Sequence, residues 1–160
     1  MKISAGVLLP LFIMVSLISG ERIMSQDTQG KYYTSSENVA IGGYDAVAYF
    51  VQNKAVRGSK KNEVTHDGAA FWFSSDENKN LFTENPDKYI PQYGGWCAFG
   101  MAAQNSKVPS DPRTFKLYNG KLYLFFNDYW QGEPFNTIVP WNADEAALKE
   151  KADQNWTSQR

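Results

Sequence analysis

Residues 66–101 read HDGAAFWFSSDENKNLFTENPDKYIPQYGGWCAFGM, and this stretch decides the fold. Asp67-Gly68 suits a two-residue type I′ turn, because both of its positions need positive φ. It stands between EVTH and AAFWF, two short extended runs that predict a hairpin. On the second arm Phe71 and Phe73 share one face and Trp72 takes the other. Ser74 followed by Glu77 has the spacing of a capping box, which predicts a helix from there to about Glu84. Asn85-Pro86 ends that helix, since the residue before proline is steered out of the helical region. Tyr89 and Ile90 are expected to fold back onto the hairpin.

Working outward, a second hairpin is predicted from TFKLY, Asn119-Gly120 and KLYLFF, because Asn-Gly between alternating runs is a strong hairpin signal. Residues 127–139 carry no period and read as irregular. The C-terminal segment reads as a helix capped by Asn142 with Glu145 completing the box, and Trp141 stapled to Ala146. Leu148, Ala152 and Trp156 recur every four residues and form its buried stripe. Upstream, NVAIGGYDAVAYF has Gly42-Gly43 as a hinge, and Asp45 is placed to cap a short helical turn through Phe50; a short strand is the competing reading. Trp96 to Ala103 reads as either a short helix or a strand. No internal repeat of domain size is visible. The expected fold is α+β, a single small domain of two β-hairpins with a short helix after the first and a longer C-terminal helix.

At 160 residues the chain has room for one domain. Lys2, the apolar run from Val7 to Ile18, and the small residues Ser19 and Gly20 have the layout of a secretory signal peptide. The expected organisation is therefore a signal peptide over 1–25, a polar lead-in over 26–37, a domain over 38–156 and a tail over 157–160. Export implies a secreted or periplasmic protein. Removing residues 1–25 takes away Lys2, Glu21 and Arg22, so the formal charge moves from −1 to −2. Near neutrality with no basic stripe argues against nucleic acid as a partner. Arg57, Lys60 and Lys61 read as a solvated loop. One cysteine cannot form an internal disulfide, so packing must hold the fold, and aromatics at 15% of residues can supply it.

The candidate chemistry is sparse. Cys97 and Met101 share one face if their segment is helical, and His66 adds a third donor across the fold. Thiolate, thioether and imidazole together favour Cu(I) over hard cations. The plainer reading is that Cys97 is a small buried hydrophobe and His66 a surface residue. A Cys97–His66 nucleophile and base, oriented by Asp45 or Asp67, lacks any supporting signature. Tyr93, Trp96, Trp72 and Phe99 read either as core or as the lining of a ligand groove.

The pattern Gly-Ala-Ala-Phe-Trp-Phe-Ser-Ser-x-x-Asn-x-x-x-Phe-x-x-x-Pro-x-x-Tyr, from Gly68 to Tyr89, resembles a YHS domain. The likeness extends through GGYDAVAYF upstream and through PQYGGWCAFGM and NGKLYLFFN downstream, over roughly residues 38–156. The resemblance implies heavy-metal association, because such modules are attached to copper-transporting ATPases. Those modules carry one cysteine in Asp-Pro-Val-Cys-Gly-Met and two in Phe-Cys-Ser-x-x-Cys. The matching positions here are Ala48, Ser74 and Asn78, so that thiolate set does not transfer. The leading expectation is a non-enzymatic exported YHS-domain protein that binds a soft metal ion, copper, through Cys97, Met101 and His66, for handling or tolerance. The alternative is a metal-free ligand- or protein-interaction module using aromatic surface around Gly94-Gly95-Trp96. A Cys97-dependent enzyme is the weakest reading.

Overall fold

The structure, a computed structural model, describes residues 30–159. The expected signal peptide lies outside them. In chain order the elements are α1 (Ala48–Gln52), β1 (Ser59–His66), β2 (Ala69–Phe73), α2 (Asp76–Glu84), α3 (Pro86–Tyr89), α4 (Ala98–Gln104), β3 (Asp111–Tyr118), β4 (Lys121–Phe125), β5 (Asn127–Trp130), β6 (Glu133–Asn136), α5 (Ile138–Ala143) and α6 (Glu145–Ser158). Among the described residues the sheets are three antiparallel hairpins, β1–β2, β3–β4 and β5–β6. The α+β class holds, with both expected hairpins at their Asp67-Gly68 and Asn119-Gly120 turns. No helix among the described residues is long and apolar enough to cross a membrane.

Three local expectations are corrected. The cap of α2 is Ser75, whose hydroxyl accepts from the Asn78 N–H at 3.1 Å, because the Ser74 hydroxyl is already committed to Asp45. Asn142 lies inside α5, where its side-chain Oδ1 accepts from Lys116, so it cannot cap the last helix; that helix starts after Asp144. Residues 127–139 are ordered as a third hairpin followed by the start of α5. That hairpin shows no apolar alternation because β5 is exposed along its whole length. The stripe on α6 is as expected, with Ala152 and Trp156 buried and Leu148 packed beside them.

The lead-in contributes more than expected. From Tyr32 onward it packs on the domain: Tyr32 is buried edge-on to Phe71, and the Tyr33 N–H donates to the Gly94 carbonyl at 2.9 Å. A Cβ at Gly94 would stand 1.9 Å from the Lys31 carbonyl oxygen, so only glycine admits this crossing.

The structure also repeats itself, in a unit smaller than a domain. β1 and β2 pair Ser59 with Phe73, Glu63 with Trp72 and His66 with Ala69, with a register shift between Ser59 and Glu63. β3 and β4 pair Asp111 with Phe125, Phe115 with Leu124 and Tyr118 with Lys121, with the same shift between Asp111 and Phe115. Every one of these positions is displaced by 52 residues. The left-handed residues follow: Ile41 and Tyr93 both have φ 56°, Asn53 and Asn105 have φ 50° and 48°, and Asp67 and Asn119 have φ 46° and 48°. Long-range bonds follow too. Asp45 N–H donates to the Val56 carbonyl at 2.8 Å, and Cys97 N–H donates to the Val108 carbonyl at 2.9 Å. Two copies of one unit, from Ile41 and from Tyr93, therefore stand in tandem, each with a left-handed X-Gly-Gly turn, a short helix and a bulged hairpin. Two apolar clusters result, one around Tyr49, Phe71, Phe73 and Phe82, the other around Met101, Tyr123, Phe125 and Trp141. Strand β4 joins both, with Leu122 and Leu124 in the first and Tyr123 and Phe125 in the second.

Asn53 and Asn105 close α1 and α4 from the same left-handed conformation, which asparagine tolerates better than alanine. Asn53→Ala is expected to cost about 1 kcal/mol in urea melts. Asn105→Ala should cost more, because the Gln159 side chain also donates to the Asn105 side-chain oxygen at 2.6 Å. Unchanged melts for both would overturn the equivalence of the two caps.

Candidate functional site

The most heavily bonded side chain among the described residues is Asp45, which is wholly buried at the entry to α1. The chain turns there, leaving backbone N–H groups without helical partners. Its Oδ1 accepts from the Val47 and Ala48 N–H groups at 2.9 and 3.1 Å. Its Oδ2 accepts from the Ser74 N–H at 2.8 Å, the Ser74 hydroxyl at 2.6 Å and the Asn78 side-chain amide at 2.7 Å. Five donors meet one carboxylate, tying α1 to the junction of β2 and α2. A buried charge is tolerable only when it is paired or fully hydrogen-bonded, and here hydrogen bonds alone do this.

Ala48, Ser74 and Asn78, the positions that the resemblance gives to thiolates, are thus all bonded to this carboxylate. Tested against a soft metal ion, they do not fit. Ala48 has no donor atom on its side chain, and Ser74 and Asn78 turn protons, not lone pairs, toward the centre. The sequence reading found Asp45 as a cap but missed its bonds to Ser74 and Asn78, which join residues about thirty positions apart.

Cys97 stands 52 residues after Asp45, in the same slot of the second unit. It is wholly buried at the N-terminus of α4. Its Sγ accepts from the Gly100 N–H at 3.4 Å and the Phe126 N–H at 3.3 Å, as Asp45 accepts from Ala48 and Ser74. Thr137 Oγ1 lies 3.3 Å from the sulfur and donates to the Phe126 carbonyl at 3.0 Å. The assignment that satisfies every group has the thiol donating to Thr137. Met101 follows one turn later, also wholly buried, with its N–H bonded to the Cys97 carbonyl. The Gln159 amide approaches its sulfur at 3.6 Å.

His66 belongs to the other unit. Its ring packs against Phe71 and Phe82 of the first cluster, and Nε2 lies 3.6 Å from Asp67 Oδ2. The Lys31 ammonium, hydrogen-bonded to Asp67, and the adjacent His66 hold that carboxyl below its usual range. Cys97 and Met101 are thus brought onto one helix, while His66 packs in the cluster of the first unit. Among the described residues no three His, Cys, Asp or Glu side chains come together as a metal-holding group.

The aromatic candidates divide. Tyr93 and Trp96 are interior, 3% and 6% exposed, with the Tyr33 ring tilted against Trp96 at 4.8 Å, so the Gly94-Gly95-Trp96 segment offers no open aromatic surface. Burial, reinforced by its bond to Asp153 at 2.9 Å, pushes the Tyr93 phenol well above its ordinary value. Trp72 donates to Glu63 at 2.8 Å, and Phe99 is half-buried. A cleft of about 970 Å³, lined by Tyr32, Tyr93, Lys107, Lys121, Asp153 and Trp156 among others, includes none of Asp45, His66, Cys97 and Met101. The exposed large apolar side chains are instead Tyr129, Trp130 and Phe135 of the third hairpin, with Val139 of α5 and Val51 of α1.

Compared with known proteins, residues 47–93 match the family model described as YHS domain. That span begins beside Asp45 and ends at Tyr93, where the second unit starts. Comparison with curated proteins and with solved structures returned no significant match.

Asp45→Ala strands the donors of Ser74 and Asn78 and removes a helix cap, and is expected to cost roughly 3–5 kcal/mol. Asn78→Ala removes one charge-assisted bond and should cost about 2 kcal/mol. Urea denaturation of both variants checks this; an Asp45→Ala protein within about 1 kcal/mol of the parent would refute the role given to the carboxylate.

Proposed function

Since the chain carries a YHS domain, matched over residues 47–93, we propose that it is a non-enzymatic, exported binding module working without a metal. One observation carries this reading. The slot occupied by Asp45 in one unit and Cys97 in the other holds an acceptor that the protein itself saturates. A soft ion at Cys97 would have to displace two N–H donors and the Thr137 contact from a wholly buried sulfur. Cys97 stands at the start of α4 while the His66 ring packs against Phe71 and Phe82, so among the described residues no contact joins them as the nucleophile-and-base pair that a cysteine enzyme needs. Export is supported by the leader-like composition of residues 1–25. An interaction role is supported by the exposed aromatic side chains of β5 and β6, which contribute little to the core.

The soft-metal reading through Cys97, Met101 and His66 is the second one, favoured by Cys97 and Met101 sharing a helical turn. Anaerobic Cu(I) titration against a competing chelator, with Cys97→Ala in parallel, separates the two. The metal-free module predicts no competitive binding and no difference between the proteins. Stoichiometric binding that disappears in Cys97→Ala would overturn it and make Met101 and His66 the next substitutions.

A further inference from the structure

The two units coincide from the X-Gly-Gly turn to the end of the second strand and then part. After β2 the first unit continues into α2, which buries Phe82 and sends Asn78 to Asp45. After β4 the second unit makes the β5–β6 hairpin instead, with Trp130 at the position of Asn78. No amide reaches Cys97 from that position, and its thiol donates to Thr137 instead. The duplicated scaffold thus departs from itself at the element with the most exposed aromatic surface.

That hairpin has an ordered pattern. Residues opposite each other in an antiparallel pair share a face, and successive residues alternate faces. Asp128 is opposite Phe135, and Trp130 is opposite Glu133. One face therefore presents two carboxylates and two rings in a checkerboard. The other presents Asn127, Tyr129, Pro134 and Asn136. Trp130 is 53% exposed, and the Phe135 ring lies edge-on to Phe99 at 6.4 Å, which steadies the hairpin on α4. No Lys, Arg or His occurs between Lys121 and Lys149. Among the described residues neither Asp128 nor Glu133 has an ion-pair partner.

We propose that this Asp128–Trp130–Glu133–Phe135 face docks an arginine-rich protein segment. A guanidinium stacks on an aromatic face and at the same time engages a carboxylate with its planar fork, and the checkerboard offers two such places side by side. A second copy of this chain fits less well, because pairing this face with itself would gather four carboxylates with no basic residue of the hairpin to offset them. An anionic membrane would be repelled by the same charges.

The inference rests on the chain being a binding module, and the two fail separately. The probe is a nona-arginine peptide, titrated into the full mature chain and followed by calorimetry, with nona-glutamate as control. Binding is expected for nona-arginine and not for nona-glutamate. It should weaken about tenfold or more in Trp130→Ala and in Asp128→Asn/Glu133→Gln, and by less than about twofold in Tyr129→Ala on the opposite face. All three variants have exposed side chains, and matched melting curves exclude misfolding as the cause. Absence of binding, or equal binding by parent and variants, overturns the proposal. So does self-association of the parent that Trp130→Ala abolishes and nona-arginine does not compete. If Cu(I) binds through Cys97 while nona-arginine still binds through Trp130, the metal-free reading falls and this one stands.

Discussion

The Asp45 carboxylate is the constraint on which the first unit depends. The chain must leave a left-handed turn at Ile41–Gly43, enter α1, and later leave β2 for α2. Each change of direction strands N–H groups in the interior. One anion with two oxygens collects them: Oδ1 takes those of α1, and Oδ2 takes those of the strand-to-helix junction. A neutral side chain would offer weaker acceptance, and an apolar one none, while an unmet buried donor is costly. Around this point the aromatic cluster of Tyr49, Phe71, Phe73 and Phe82 closes.

The second unit meets the same requirement with a sulfur. Cys97 receives the equivalent Gly100 and Phe126 N–H groups at longer distances. It has fewer donors to satisfy, because no amide arrives from the position of Asn78, and its own proton goes to the Thr137 hydroxyl oxygen. The single cysteine thus has a structural account: the slot asks for a compact acceptor, and the buried Cys97 sulfur supplies one.

Much of the architecture was legible because it rests on signals confined to a few residues. Asp67-Gly68 and Asn119-Gly120 declare their turns, and the Leu148, Ala152 and Trp156 spacing declares its helix. What escaped notice is what depends on separated positions. The duplication is written in backbone conformation more than in side chains. Ile41 and Tyr93 both adopt φ 56°, and Asp45 and Cys97 both accept N–H groups, although neither pair looks alike. The Ser75 cap was hidden because Ser74 has equally good local credentials, and only the distant carboxylate decides between them. The third hairpin was hidden because apolar alternation reports burial, and β5 is exposed throughout.

Why the two units diverge where they do follows from the same bonding. Up to the second strand, each residue of the repeat is held by the turn, the bulged register and the acceptor slot, so substitution is limited to side chains that keep those bonds. Beyond Ser74 in one unit and Phe126 in the other, only one tie to the slot remains, the Asn78 amide or its replacement by Thr137. Once Thr137 reaches the sulfur from the start of α5, the intervening ten residues no longer have to form a helix that returns an amide to the interior. They are free to extend outward. The hairpin that results is tied to the body through Asn127 to Thr114 and Phe135 to Phe99, which leaves its central residues, Tyr129 to Pro134, facing solvent. A structural obligation moved by a few residues thus releases a segment whose acidic and aromatic side chains the core does not use.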